Sequence, residues 1–303
     1  MSSDLPLTPA AWKDRLAALP GDPGHIPAFF FGHGSPLLAL SHNHLSLPRQ
    51  VVEHAGPESL FAAFLRDFGP ALLAKYKPKG ILVLSAHWET EGAQLVTDYG
   101  DENPLLMDYH GFPPELYELE FVSRGDATLS RRAVDLFHKA GIRARLTGPD
   151  EARGRDGRGF EGPGLDHGVF VPFRLMFGQE FRDVPIVQAS IDGSLSPEAN
   201  WACGKALTEL RDEGILILSG GLTVHNLRDR KNFAPQTADP LVREFNEAVS
   251  SAISVSDPIA RKTALFALTQ HNGFRLAHPR EEHFVPIYVA AGAGEQDAVA
   301  FGK

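Results

Sequence analysis

Short apolar runs recur along the chain, each bounded by turn residues: Ile26–Phe31, Gly80–Ser85, Ile142–Leu146, Pro185–Ser190, Ile215–Ser219 and Phe284–Ala290. Their apolarity is continuous rather than alternating, which predicts strands buried on both faces. Longer amphipathic segments lie between them. Ser59 to Lys75 and Ala127 to Ala140 carry helical periodicity, and Gly141 supplies a stop for the second. Ser196-Pro197-Glu198 opens a run to Glu213 with an N-cap, a first-turn proline and an early acid; Asp239-Pro240 and Asp257-Pro258 repeat that chemistry. Strands alternating with helices predict an α/β fold with helices on both faces of a sheet.

Two segments fit this plan less well. Residues 1–24 read as an N-terminal arm with one short helix from Ala10 to Ala18. That leaves 25–303 as a single domain, since no repeat or linker-like change of composition divides it. Residues 151–164, EARGRDGRGFEGPG, are polar, basic and glycine-rich: a solvated surface loop, or one that covers a site.

Composition narrows the function classes. Lys+Arg 29 against Asp+Glu 38 gives 29 − 38 = −9, which offers no electrostatic attraction to nucleic acid or an acidic membrane. The apolar runs fall far short of the roughly 20 residues of a membrane span. The N-terminus lacks the basic start and unbroken apolar stretch of a secretory signal, so the expectation is a soluble, cytoplasmic protein. A lone Cys203 excludes an intramolecular disulfide and a thiolate cage, so any metal chemistry must use imidazole and carboxylate. The chain has 13 histidines to supply it.

Those histidines sort by context. His33 follows Ala28–Phe31 in Gly32-His33-Gly34-Ser35-Pro36, His87 follows Ile81–Leu84 in Ser85-Ala86-His87-Trp88, and His225 follows Ile215–Leu218 after a glycine-bearing turn. All three fall just past the end of an expected strand, where open α/β sheets build ligand sites. His167 lies in Leu165-Asp166-His167-Gly168 before an apolar run, and His283 at the start of the last expected strand. A buried imidazole bonded to the backbone accounts for any one of these. Five together point to a histidine-rich metal site with spare histidines for acid–base work. The other eight read differently. His25, His54, His138, His271 and His278 sit in polar turns, loops or a charged helix, and the His42-x-His44 pair lacks the strand that would aim both rings one way. His110 shares a loop with Tyr109 and Phe112 that could wall a flat substrate.

Taken in order, Gly32-His33-Gly34-Ser35-Pro36, Ser85-Ala86-His87-Trp88, Gly111-Phe112-Pro113, Leu165-Asp166-His167-Gly168, Val224-His225-Asn226-Leu227-Arg228 and Glu282-His283 through Ala291-Gly292-Ala293 resemble the class III extradiol ring-cleaving dioxygenases. The nearest branch is the DOPA 4,5-dioxygenase-like proteins, and the likeness spans about residue 26 to 293. It implies an α/β domain with a central mixed sheet. It also implies non-haem Fe(II), with Zn(II) as the other metal for the same site, and insertion of both atoms of O2 into a catechol with a side chain, such as DOPA or caffeate, to give a muconic semialdehyde. His33 and His87 become metal ligands, and His283 stands where the wider family has a glutamate. Glu282 is a substitute ligand that should point away. His225 becomes the acid–base catalyst or a fourth ligand, and His167 a second catalytic histidine.

Trp88, Tyr109, His110 and Phe112, with Phe170, are candidates for the substrate wall. Arg228 could pair with a substrate carboxylate or with Asp229, and Arg153, Arg155 and Arg158 could also reach a carboxylate. The competing reading is a zinc-bound relative, either a hydrolase or a non-catalytic small-molecule binding protein. Retention of both His167 and His225 favours the enzyme, because a structural zinc would need neither.

Overall fold

The apolar runs build a sheet. In the computed structural model, which describes residues 8–21, 24–40, 53, 55–153, 160, 162–234 and 236–297, the strands are β1 (Phe29–Gly32), β2 (Gly80–Thr90), β3 (Gln94–Thr97), β4 (Val122–Ser123), β5 (Ala144–Thr147), β6 (Glu180–Phe181), β7 (Ile186–Asp192) and β8 (Ile215–Gly221). Six of them form one sheet in the order β1-β8-β2-β7-β3-β5, while β4 and β6 make a separate small pair. All pairings in the large sheet are parallel except β3 with β7, so the sheet is mixed as expected.

Every residue of β2 is buried, and its side chains alternate between two cores. Leu82 and Leu84 pack toward α3 (Ala127–Lys139), α5 (Pro197–Ala206), α7 (Pro240–Ile253) and α10 (Pro286–Ala293). Ile81 and Val83 pack toward α1 (Pro9–Ala17), α2 (Leu60–Tyr76) and α4 (His167–Phe177). Helices α6 (Glu209–Asp212), α8 (Pro258–Ala267) and α9 (Phe274–Ala277) complete the chain order. The expected caps form at Ser196, Asp239 and Asp257, and Ser59 caps α2 in the same way, each accepting a backbone N–H of the helix it opens. Near the N-terminus, α1 buries Trp12 and Leu16, and the Trp12 indole donates to Asp67 on α2 at 2.7 Å.

Three expectations need correction. The run from Phe284 is not a strand but leads into α10, buried nearly all round. Continuous apolarity cannot separate a buried strand from a buried helix, and Pro286 at the first helical turn decides for the helix. The single helix expected from Ser196 to Glu213 breaks at Leu207 into α5 and α6, where the Thr208 hydroxyl donates back to the Lys205 carbonyl at 2.9 Å. β2 continues through His87 to Thr90, so His87 lies inside a strand rather than past its end.

Candidate metal centre

Three chain segments deliver the central histidines. His33 follows β1 directly, and its N–H donates to Gly221 at 3.2 Å, extending the β1–β8 ladder by one residue. The chain then turns away through Gly34 at φ +74°, a conformation that suits glycine. His87 sits where the register between β2 and β7 shifts, between Leu84 and Glu89. Such irregularities re-aim side chains near functional sites. His283 lies in the turn before α10, tied to the sheet by its carbonyl, which accepts the Leu222 N–H at 2.7 Å.

Nδ1 of His33 and of His283 has a hydrogen-bond acceptor, and Nδ1 of His87 lies in ion-pair range of a carboxylate. Nδ1 of His33 faces the Gly34 carbonyl at 3.0 Å, that of His87 faces Asp108 Oδ2 at 3.0 Å, and that of His283 faces Glu282 Oε1 at 2.9 Å. Carbonyl and ionised carboxylate oxygens only accept, so each Nδ1 carries the proton and each Nε2 keeps its lone pair. The ligand atoms of the three lie within 4.8 Å of one another, with His87 Nε2 and His283 Nε2 3.2 Å apart. His33 Nε2 is buried with no protein partner. Two nitrogens each about 2.1 Å from one ion stand about 3.0–3.4 Å apart at octahedral to tetrahedral angles. The residues present therefore fit a metal. An all-imidazole set suits both iron and zinc.

At His33 the surroundings favour a neutral ligand. Burial, then the neighbouring imidazoles of His283, His167 and His225, holds His33 well below the ordinary histidine pKa. Asp108 is buried, which opposes ionisation, yet the His167 and His87 rings outweigh this and hold its carboxyl well below the usual range. Its Oδ1 accepts both the backbone N–H of His167 at 2.8 Å and the ring Nδ1–H at 2.7 Å, so one carboxylate orients two histidines. Glu282 behaves alike: burial raises its pKa, but His225 and His283 hold it far down.

His167 opens α4 with its ring centroid 4.0 Å from that of His87. His225 stacks on His283, centroids 3.4 Å apart and planes within 19°. Its donors group with Glu282 and His283, and not with His33 and His87. Glu282 points to the Nδ1 side of His283, as a residue beside rather than inside the ligand set.

The remaining candidates separate. Tyr109 stands edge-on to His167 at 5.4 Å, with Phe112 edge-on to Tyr109 at 5.4 Å. His110 is exposed and stacks on Phe160 at 4.5 Å. Trp88 and Phe170 are fully buried. The Trp88 ring lies under the Arg153 guanidinium at 4.7 Å and its indole N–H donates to the Arg153 carbonyl at 2.7 Å. Arg153 is thus no free cation: it is wholly buried, bonded to Asp166 at 2.9 Å, the His87 carbonyl at 3.1 Å and the Gly164 carbonyl at 2.7 Å. Arg228 is exposed, and among the described residues Asp229 pairs with Lys231 instead, at 3.2 Å. His42, His44, His54, Arg155 and Arg158 lie outside the described residues. Sequence reasoning missed Asp108. Asp108 meets His167 across 59 positions, a separation that carries no local pattern.

Comparison with known proteins gives the class. Residues 28–303 match the family described as the catalytic LigB subunit of aromatic ring-opening dioxygenase, and the chain belongs to that family. It is 38% identical over 283 residues to a 4,5-DOPA dioxygenase extradiol-like protein of Schizosaccharomyces pombe, covering 93% of this chain and 90% of the relative. It is also 31% identical to the 4,5-DOPA dioxygenase extradiol of Beta vulgaris, covering 90% and 88%, and 31% identical to that of Escherichia coli K12, covering 88% and 85%. The crystal structure of an uncharacterized Escherichia coli K12 protein superposes with a TM-score of 0.59 at 27% identity, covering 88% of each chain. Among the described residues no helix is long and apolar enough to cross a membrane.

Proposed function

We propose that the protein is an Fe(II)-dependent extradiol dioxygenase acting on a catechol with a side chain, such as DOPA or caffeate, and opening it to a muconic semialdehyde. The carrying observation is the set of three buried imidazoles whose Nδ1 atoms each face an oxygen and whose ligand atoms lie within 4.8 Å of one another. Fe(II) held by His33, His87 and His283 would bind the two catechol oxygens and supply the redox step with O2, whereas Zn(II) in the same site lacks that step.

The chain's own groups handle protons and orientation. His225, with its side chain 21% exposed, is the base that takes a catechol proton and later returns it, with Glu282 beside its Nδ1 at 3.6 Å to stabilise the charged ring. His167, with Nδ1–H fixed on Asp108, presents Nε2 as a second proton acceptor. Tyr109 and Phe112 pack against the substrate ring, His110 stands at the rim, and Arg228 offers a guanidinium to a side-chain carboxylate.

The test is O2 consumption after anaerobic Fe(II) loading, against a panel of catechols, with appearance of a yellow ring-opened product. No uptake with any catechol, from protein whose bound iron has been measured, overturns the reading.

A further inference from the structure

His283 differs from the other two central histidines in how it is held. His33 and His87 stand beside or inside paired strands, whereas His283 lies in a turn. Its ring is braced by Glu282 Oε1 at 2.9 Å, and Glu282 is braced in turn. Arg280 pairs with Glu282 by charge, Nη1 3.5 Å from Oε2 and without a hydrogen bond, while its Nη2 donates to Glu89 Oε2 at 2.6 Å. Glu89 lies on β2 two residues beyond His87 and is 7% exposed. One guanidinium thus joins the carboxylates that neighbour two of the three histidines.

We propose that Arg280 is a positioning residue of the metal centre, pinning Glu282 against the Nδ1 side of His283 and keeping that carboxylate out of the coordination shell. The inference rests on the metal-site reading above. A carboxylate one imidazole away from a divalent cation is still drawn toward it by Coulomb attraction, and oxygen is an acceptable donor for iron, zinc or cobalt. An opposing interaction must hold it away, and the planar fork of arginine suits this because it engages two carboxylates at once where a lysine ammonium acts as a point charge. Holding Glu282 also holds the imidazoles it touches, His283 and, at 3.6 Å, His225. Arg280 is 47% exposed, so its replacement leaves the hydrophobic core intact.

The experiment uses the full chain exchanged into Co(II), with affinity read by chelator competition and coordination by visible absorption. Failure of the wild type to bind Co(II) overturns the metal-site reading itself. With the wild type bound, Arg280→Ala is expected to lose d–d intensity as Glu282 enters the shell and coordination number rises. Glu282→Gln is expected to weaken Co(II) by about tenfold, the usual effect of a lost outer partner. The double variant should match Glu282→Gln in both spectrum and affinity, and Arg280→Lys should fall between wild type and Arg280→Ala. An Arg280→Ala spectrum identical to wild type, or a spectral change that survives in the double variant beyond that of Glu282→Gln alone, overturns the proposal.

Discussion

His87 and His225 both border His283, yet their neighbours assign them different work. Two donors about 2.1 Å from one ion cannot be more than about 4.2 Å apart, and the His225 nitrogens do not join His33 and His87 even within 4.8 Å. His225→Ala should therefore keep bound metal while turnover falls by about 10²–10⁴, and His87→Ala should lose the metal; metal analysis beside kcat separates the two. Loss of metal from His225→Ala would make it a ligand. His278 is a different case. Its Nε2–H donates to the Thr223 carbonyl at 2.8 Å, and burial lowers its pKa to about 4. The unfolded imidazole protonates near 6.5, so stability is full above that pH and falls as pH drops toward 4, by about 3 kcal/mol in all. Between pH 7 and pH 4 the wild type should lose about 3 kcal/mol more stability than His278→Gln, read by denaturation at the two pH values. Of the site residues, the histidines were legible because they stood in recognisable turns and strand ends. Asp108 was not, because a loop carboxylate looks like any solvated acid until folding buries it between His87 and His167.

At the level of elements, the Gly292-Ala293 motif acquires a packing reason. A Cβ on Gly292 would meet the Trp201 carbonyl oxygen at 2.2 Å, and one on Gly204 would meet the Val289 carbonyl oxygen at 1.9 Å. Helices α5 and α10 thus touch backbone to backbone, and the turn carrying His283 is seated just before that contact. Gly292→Ala or Gly204→Ala should destabilise by about 1–3 kcal/mol or more through overpacking, read as a lower denaturation midpoint. An unchanged midpoint in both would remove the close-contact argument. Caps and proline starts made the helices legible, since those signals are local. The turn-and-helix at 283–293 was not legible, because a run buried on every side has lost the polar face that reports its period. Arg153 was misjudged for a related reason: its basic, glycine-rich surroundings suggest solvent, but Asp166, Gln188 and the Trp88 ring draw it into the core.

For the molecule as a whole, the metal would join three regions far apart in the chain: the end of β1, the irregular stretch of β2 and the turn before α10. Binding to the folded state alone stabilises it by mass action, about 2.7 kcal/mol at a free metal concentration a hundred times Kd. Fe(II) under argon, or Zn(II), should therefore raise the melting temperature by several degrees and a chelator should reverse the rise; a chelator-insensitive melt counts against a metal that spans these segments. The amino-acid sequence by itself determined the α/β class, most strands and helices, the exclusion of thiolate chemistry and the residue types of the site, because each depends on composition or on patterns a few residues long. Only the tertiary structure decided which histidines converge, which carboxylates orient them and that Arg280 bridges Glu89 and Glu282. Those relations depend on register and on contacts between distant segments, 196 positions apart for His87 and His283 and more for His33 and His283, and distance in space is not written in local pattern.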